Sequence, residues 1–182
     1  MRCARLRSFN ISPIWIAFAA LVGVQILQLS ANAAGAADWL TYQNDRYGTT
    51  IDYPGTFKPQ PPPGDDDGRE FKSTDGADFS VFASYNALDF DLAAFQAFTI
   101  KNLASGQVVT YQAHGADWFV ISGTSDSDIF YDKYLLSHGG QMTEGFVMSY
   151  PAALKQTYNP IVTRMAKSFR SGTGFQTPAA KP

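Results

Sequence analysis

The densest group of potential metal ligands in this 182-residue chain is Asp65-Asp66-Asp67, which Gly68 follows. Carboxylate oxygens are the hard ligands that Ca²⁺ prefers. The spacing is not the alternating D-x-D-x-D-G of a calcium loop, however, and no glutamate stands at the twelfth position. Adjacent carboxylates also repel one another. The pattern therefore favours a solvated loop held open by the neighbouring prolines, with a calcium site as the alternative.

The two histidines, His114 and His138, form a second candidate metal site. Each stands beside a glycine at the end of a predicted strand. A zinc ion needs three or four protein ligands, and only carboxylates such as Asp117, Asp128 or Asp132 remain to complete the set. Histidines in turns are usually polar turn residues. We keep zinc as the alternative to that interpretation.

Nucleophilic catalysis would need a serine or threonine beside a base. The segment Ser122-Gly-Thr-Ser125 matches neither G-x-S-x-G nor S-x-x-K. A Ser–His–Asp set could still assemble from dispersed residues. No motif assigns a catalytic residue or a cofactor, so we expect a protein that is not an enzyme and that uses no cofactor.

The first 37 residues have the order of a secretory signal. Arg2, Arg5 and Arg7 precede an apolar run over 14–29, and small residues follow over 30–37. This order of basic, apolar and small residues is typical of a cleavable signal peptide. Two glutamines interrupt the apolar run, which is shorter than the roughly 20 residues that span a bilayer. A retained membrane anchor is the alternative.

Two A-x-A sites fit the cleavage rule. We expect cleavage after Ala33, with Ala36 as the alternative, and therefore a periplasmic or secreted protein. Cys3, the one cysteine of the chain, precedes the apolar run, so the mature domain carries no thiol, disulfide or lipid anchor. No stable membrane anchor is expected after cleavage.

The composition of the mature chain sets its class. Cleavage after residue 33 leaves 149 residues with 11 basic and 16 acidic side chains, a net charge of −5. That length suits one domain. An acidic domain lacks the basic surface that nucleic acids and anionic membranes need, so neither is an expected partner. We expect a monomer.

Hydrophobic periodicity predicts an α+β domain over residues 38–170. An antiparallel sheet follows from short strands with short separators, and apolar residues on both faces of several strands predict helices covering part of each face. A proline-rich loop over 59–68 and a disordered tail over 171–182 complete the chain. The first helix begins after Asp89 or Asp91, and Pro160 must kink the last helix or start a second one. The predicted strands are 39–42, 49–53, 69–73, 78–85, 108–113, 118–123, 129–137 and 142–150, and the predicted helices are 91–104 and 154–169.

Several of these segments resemble the PsbP-like domain. In Asn44-Asp-Arg-Tyr-Gly-Thr-Thr-Ile-Asp-Tyr-Pro54, an aromatic-Gly pair precedes a strand that ends in an aromatic-Pro pair. The Asp-Gly-Arg segment before Phe71, the turn over 73–76 and the closing helix over 164–169 are also similar to small exported bacterial proteins with this domain. The resemblance implies an α-β-α sandwich around an antiparallel sheet.

The same resemblance implies no single function. Members include accessory subunits of photosystem complexes, a nuclear-transport GTPase-binding factor and exported bacterial proteins. The matched positions are turn and core residues, so no catalytic residue carries over. We expect a non-catalytic binding or accessory module for a protein or a cell-envelope component. A small envelope hydrolase with a dispersed Ser/His/Asp site and a metal or small-ligand binder are the alternatives.

Overall fold

Nine strands and two α-helices form within residues 38–173, the part of the chain that the computed structural model describes. The predicted signal peptide over 1–33, the cleavage sites at Ala33 and Ala36, and the tail over 174–182 lie outside these residues. The elements are β1 (Trp39–Gln43), β2 (Thr50–Pro54), β3 (Lys58–Pro59), β4 (Gly68–Lys72), β5 (Asp78–Tyr85), α1 (Leu92–Lys101), β6 (Gln107–His114), β7 (Trp118–Ser125), β8 (Asp128–Ser137), β9 (Met142–Pro151) and α2 (Lys155–Ser168).

Seven strands form one antiparallel sheet in the order β3-β4-β5-β9-β8-β7-β6, and β1 and β2 form a separate hairpin. The helix α1 connects β5 to β6, which lie on opposite sides of three intervening strands. It therefore crosses one face of the sheet, while α2 and the β1–β2 hairpin pack on the other. The predicted α+β class and the α-β-α sandwich are confirmed.

Alternating residues of each strand divide the core between the two faces. On the α2 face, Phe79 and Phe146 pack with Met165 of the helix. On the α1 face, Phe95 of the helix packs against Phe119 and Tyr134, with ring centroids 5.2 and 5.5 Å apart. Aromatic side chains bury large areas and supply much of both cores, as their abundance in the sequence indicates.

The start of α1 is set by Asp91. Its carboxylate accepts a 2.7 Å hydrogen bond from the backbone N–H of Ala94, the contact that defines a helix N-cap. Asp89 instead takes a left-handed conformation (φ 51°) in the preceding loop. Of the two predicted caps, Asp91 is therefore the actual one.

Two prolines were singled out by the sequence predictions. Pro59, predicted to begin a loop without strand pairing, lies in β3 opposite Phe71. A proline is tolerated there because β3 is an edge strand, whose outer N–H needs no partner. Pro160 lies inside a single helix, so the predicted second helix starting at this residue is not formed. It occupies the second turn, where only the bond to the Gln156 carbonyl is lost.

The edge strand β6 contains a bulge. Val109 pairs with Gly123 and Tyr111 with Ser122, so Thr110 has no partner of its own on β7. Side chains beyond the bulge therefore lie on the opposite face of β6 from the one that uninterrupted alternation would give them.

The described residues end just after α2. Arg170 forms a bridge with Thr50, and Ser171, at the start of the predicted tail, lies 3.0 Å from the imidazole of His138. Among residues 38–173, neither α-helix combines the length and apolar character needed to cross a bilayer.

Candidate functional site

The helix α1 covers only part of its sheet face. It packs over β7 and β8, and leaves open the part of the face formed by β5 and β9. These strands present Ser84 and Thr143, whose hydroxyls are 3.0 Å apart, and Ser149, together with Phe82 and Val147, which pack against the core under α1. A groove therefore runs alongside the helix.

Three adjoining cavities make up this groove, which we call the α1 groove. The first, of about 760 Å³, lies at the N-terminus of α1, and the second, of about 320 Å³, shares Tyr85, Asn86 and Phe90 with it. The third, of about 420 Å³, lies beneath the C-terminal half of α1 and shares Phe95, Phe98 and Tyr134 with the second. The volumes suit small ligands or inserted side chains.

Asn86 holds the loop between β5 and α1 that forms one wall of the groove. Its side-chain amide donates 2.8 Å hydrogen bonds to the carbonyls of Phe90 and Gly140, and its oxygen accepts from the Phe90 N–H. One side chain thus closes the loop and fastens it to the turn between β8 and β9. This arrangement leaves Leu88 at the tip of the loop 64% exposed.

The α1 groove is acidic. Its lining residues include five carboxylates and, among the residues that the structure describes, no lysine, arginine or histidine. The carboxylates at the N-terminal end of α1 are Asp89, Asp91 and Asp117, and those beneath its C-terminal half are Asp78 and Asp132.

Two basic side chains lie on the α2 face. Lys133 donates a 2.7 Å hydrogen bond to the carbonyl of Ala166 in α2, and the Arg164 guanidinium lies 4.0 Å from the ring centroid of Trp39. Outside the lining, Lys133 lies near enough to Asp117, and Lys72 near enough to Asp78, to act on their charges, so the lining itself is the acidic part of this surface.

Asp132 forms the floor of the third cavity and is 7% exposed. Burial raises the pKa of its carboxyl to about 7, although a hydrogen bond from the Met148 backbone acts in the opposite direction. Burial also raises the pKa of Tyr134 beside it, and the Asp132 charge adds to this effect. At the cavity rim, burial raises the pKa of Asp78, with Glu70 and Asp128 contributing as nearby like charges.

Hydrogen bonds to its backbone hold the acidic loop that contains Asp65, Asp66 and Asp67. Arg46 donates a 2.7 Å hydrogen bond to the backbone carbonyl of Asp65, and the Asn44 amide donates to that of Asp66 at 3.1 Å. Burial and the neighbouring Asp65 carboxylate raise the pKa of Asp67. These bonds anchor the loop through its main chain.

The histidines are placed differently from each other. His114 is exposed at the end of β6, and His138 lies in the turn between β8 and β9, within hydrogen-bonding distance of Ser171. Within residues 38–173, no three or more His, Cys, Asp or Glu side chains are grouped to hold a metal ion. The calcium and zinc alternatives gain no support from the geometry.

A catalytic set would add a carboxylate to the Ser171–His138 pair, so we consider the hydrogen bonds of the buried carboxylate of Glu144. The buried carboxylate on β9, Glu144, accepts hydrogen bonds from two hydroxyls, Thr49 at 2.6 Å and Ser137 at 2.6 Å. Both of its oxygens thus have a donor in the fold. The hydrogen bonds of Glu144 therefore join the segment before β2, strand β8 and strand β9, which is a structural role.

The sequence pattern offered Asp132 as a zinc ligand and did not predict its place in a cavity. The available signal was alternation: Phe130, Asp132 and Tyr134 share one face of a strand whose other inward positions are apolar. A lone carboxylate on such a face is either exposed or held in a pocket. The position of α1 decides whether this carboxylate is exposed or lies in a pocket.

The fold is similar to two solved structures. The solution structure of cyanobacterial PsbP (CyanoP) from Synechocystis superposes with a TM-score of 0.56 at 16% identity, over 76% of this chain and 95% of that one. The crystal structure of the Ran-binding protein Mog1p from Saccharomyces cerevisiae superposes with a TM-score of 0.51 at 11% identity, over 74% of this chain and 95% of that one.

No family model matches the chain, and no curated protein matches it either. The structural similarities establish a PsbP-like α+β fold, as the sequence resemblance predicted. At these identities they establish the fold alone, because one fold hosts many functions.

Proposed function

We propose that this chain is an exported, non-catalytic binding module whose α1 groove docks a segment of a partner protein rich in basic and apolar side chains. The observation that carries the proposal is the lining of the groove, where five carboxylates stand without a basic side chain among the described residues. Complementary charge speeds encounter and selects the partner.

Large apolar side chains are exposed on the groove. Leu88 is 64% exposed and Phe98 is 45% exposed, and both line the second cavity. Large exposed apolar side chains that share one concave surface are typical of interaction sites. A partner segment that interleaves Lys or Arg with Leu or Phe would satisfy both the carboxylates and these side chains.

The comparisons and the sequence support this class of function. Mog1p, which shares the fold, is a Ran-binding protein, so the fold is used elsewhere to bind a protein. The basic, apolar and small-residue order of the first 37 residues supports export to the periplasm or beyond. We accordingly place the partner in the cell envelope.

The test uses defined peptides. An amphipathic peptide of Lys and Leu and its charge-reversed counterpart of Glu and Leu are titrated into the ¹⁵N-labelled protein. We expect the Lys–Leu peptide to bind and to shift amide resonances along the groove, and the Glu–Leu peptide not to bind. Equal binding of both peptides, or shifts confined to the α2 face, would refute the proposal.

Matched variants localise the effect. Asp117→Lys reverses one charge in the groove, and Asp38→Lys makes the same change at an exposed residue that lines none of the three cavities. We expect Asp117→Lys and Leu88→Ser each to weaken Lys–Leu peptide binding at least fivefold, and Asp38→Lys to leave it within twofold, about 0.4 kcal/mol. Equal effects of the two lysine substitutions would mean that net charge alone governs binding.

A further inference from the structure

We propose that the third cavity of the α1 groove is a binding site for a small organic cation, an alkylammonium or guanidinium group on an apolar stem, with Asp132 as its counter-ion. This inference deepens the proposed function, because a basic side chain of the docked partner is one source of such a cation. A free amine is the other source.

The cavity has the construction of a ligand site. Asp132 lies at its floor, and the rings of Phe95, Phe98, Phe130 and Tyr134 form its walls. The lining of this cavity of about 420 Å³ also includes Thr99, Asn102 and Gln107, whose side chains hydrogen-bond to the backbone of α1 and of the loop after it, which leaves Asp132 as the polar group aimed at a ligand. An apolar pocket with a few convergent polar groups is the usual form of a small-molecule site.

The charged side chains that line the cavity are acidic, which favours a cationic ligand. Asp132 and Tyr134 face it from β8, and Asp78 faces it from β5. The residues that α1 and β9 contribute to the lining carry no charge. Lys72 on β4, the cross-strand neighbour of Asp78, acts on that carboxylate and also forms a 3.0 Å ion pair with Glu70, so Asp132 is the carboxylate left for a ligand to pair with. A buried ionised carboxylate without a counter-ion is costly, and a bound cation would remove that cost.

The walls indicate an organic cation rather than a metal ion. Aromatic faces attract ammonium and guanidinium groups and pack against an apolar stem. A metal ion would need several oxygen or nitrogen ligands. The described residues group no three metal-ligating side chains at this or any other place.

Binding should be coupled to the proton of Asp132. The ionised carboxylate pairs with the cation, so a proton leaves Asp132 for solvent whenever the ligand binds the neutral form. Because the pKa of this carboxyl is about 7, affinity should increase between pH 6 and pH 8. Asp78 and Tyr134 face the same space. Tyr134 stays protonated over this range because burial raises its pKa.

Phenethylammonium is the probe, and 2-phenylethanol is its neutral match in size and shape. Binding to the purified full-length protein is measured by ¹⁵N-amide shifts and calorimetry. We expect phenethylammonium to bind at least tenfold more tightly than 2-phenylethanol at pH 8. The advantage should disappear in Asp132→Asn and persist in Asp38→Asn, which removes an exposed carboxylate that lines none of the three cavities. Equal affinity of the two probes, or no effect of Asp132→Asn, would overturn the inference.

A second measurement uses the wild-type protein and does not depend on the stability of Asp132→Asn. The ¹³C resonance of the Asp132 carboxyl is followed against pH with and without phenethylammonium. We expect the probe to lower the pKa of this carboxyl, since the cation stabilises the ionised form. An unchanged titration at saturating probe would overturn the inference even if Asp132→Asn proved unstable.

Competition distinguishes the two sources of the cation. If phenethylammonium displaces the Lys–Leu peptide, the cavity receives a basic side chain of the partner. If the peptide and the probe bind at the same time, the cavity binds a free amine. Either displacement or simultaneous binding supports the cation site. If the peptide binds but phenethylammonium does not, this inference fails and the proposed docking function stands. If the probe binds but the peptide does not, the docking function fails alone.

Discussion

The hydroxyl of Thr49 donates a 2.6 Å hydrogen bond to the carboxylate of Glu144, 95 residues further along the chain. Thr49 precedes β2, and Glu144 lies on β9 near the centre of the seven-stranded sheet. Ser137 of β8 donates to the other carboxylate oxygen at 2.6 Å. Glu144 is 2% exposed, so the β1–β2 hairpin is fastened to the main sheet by a buried, charge-assisted contact.

Removing the Thr49 hydroxyl should destabilise the domain. Thr49→Val keeps the side-chain shape but leaves a buried carboxylate with one donor fewer, and we expect a loss of about 2 kcal/mol in the free energy of unfolding. Urea denaturation followed by circular dichroism measures it. Thr41→Val is the control, because its hydrogen bond to Asp52 is exposed and should contribute no more than about 0.5 kcal/mol. Equal losses in the two variants would contradict a buried anchor.

Asp132→Asn should change how stability depends on pH. In the folded protein the Asp132 pKa is about 7 rather than 3.8, so between these pH values the folded state holds a proton that the unfolded state has lost. The wild-type protein therefore loses stability as pH rises through this window, by at most about 4 kcal/mol. We expect the variant to lack this loss. Urea denaturation at pH 4.5, 6 and 8 measures it, and parallel curves for the two proteins would refute the buried carboxyl.

Tyr158→Phe should weaken the contact between α2 and the β4–β5 turn. The Tyr158 hydroxyl donates to the Asp75 carboxylate at 2.8 Å. Burial alone would raise the pKa of Asp75, but hydrogen bonds from Ser73 and Tyr158 outweigh it and lower that pKa. We expect a loss of about 1–2 kcal/mol at pH 7.

The pH dependence of the Tyr158→Phe effect supplies its control. A lowered carboxyl pKa stabilises the folded state above the unfolded pKa, and this stability is lost as pH falls through the folded value. The difference between wild type and variant should therefore shrink at pH 3. Tyr111→Phe, at an exposed edge position, should have no measurable effect at either pH. A difference that grew on acidification would exclude the Asp75 bond as its cause.

The exported form should begin at Ala34 or Ala37. Mass spectrometry of the protein recovered from the envelope fraction of a Gram-negative host identifies the new N-terminus. Ala33→Phe should block the first A-x-A site and move cleavage to Ala36, because the signal peptidase accepts only small residues there. Recovery of the chain with Met1 retained in the membrane fraction would instead support an uncleaved anchor.

The elements of the fold were predictable because their signals are local. Alternation of apolar residues over Asp78–Tyr85 predicted β5, and the spacing of Asp91 before an apolar run predicted the start of α1. These patterns depend on backbone geometry within a few residues. The resemblance to PsbP-like domains then supplied the correct layered architecture.

The groove was not predictable because it depends on strand order. β9 inserts between β5 and β8, and α1 must cross the sheet to reach β6, so the cavities along α1 are lined by residues far apart in the sequence. No local pattern in the chain encodes this order. Asp132 consequently looked like a polar residue on a strand until the helix above it defined a cavity.

The bulge at Thr110 has a consequence beyond the domain itself. An open sheet invites strands from neighbouring molecules, since its outermost backbone groups are unpaired. On β6 the extra residue breaks the regular spacing of these groups beside the exposed side chains of Val108 and Tyr111. At the opposite edge, β3 is two residues long and includes Pro59. Both margins thus resist recruitment into fibrils.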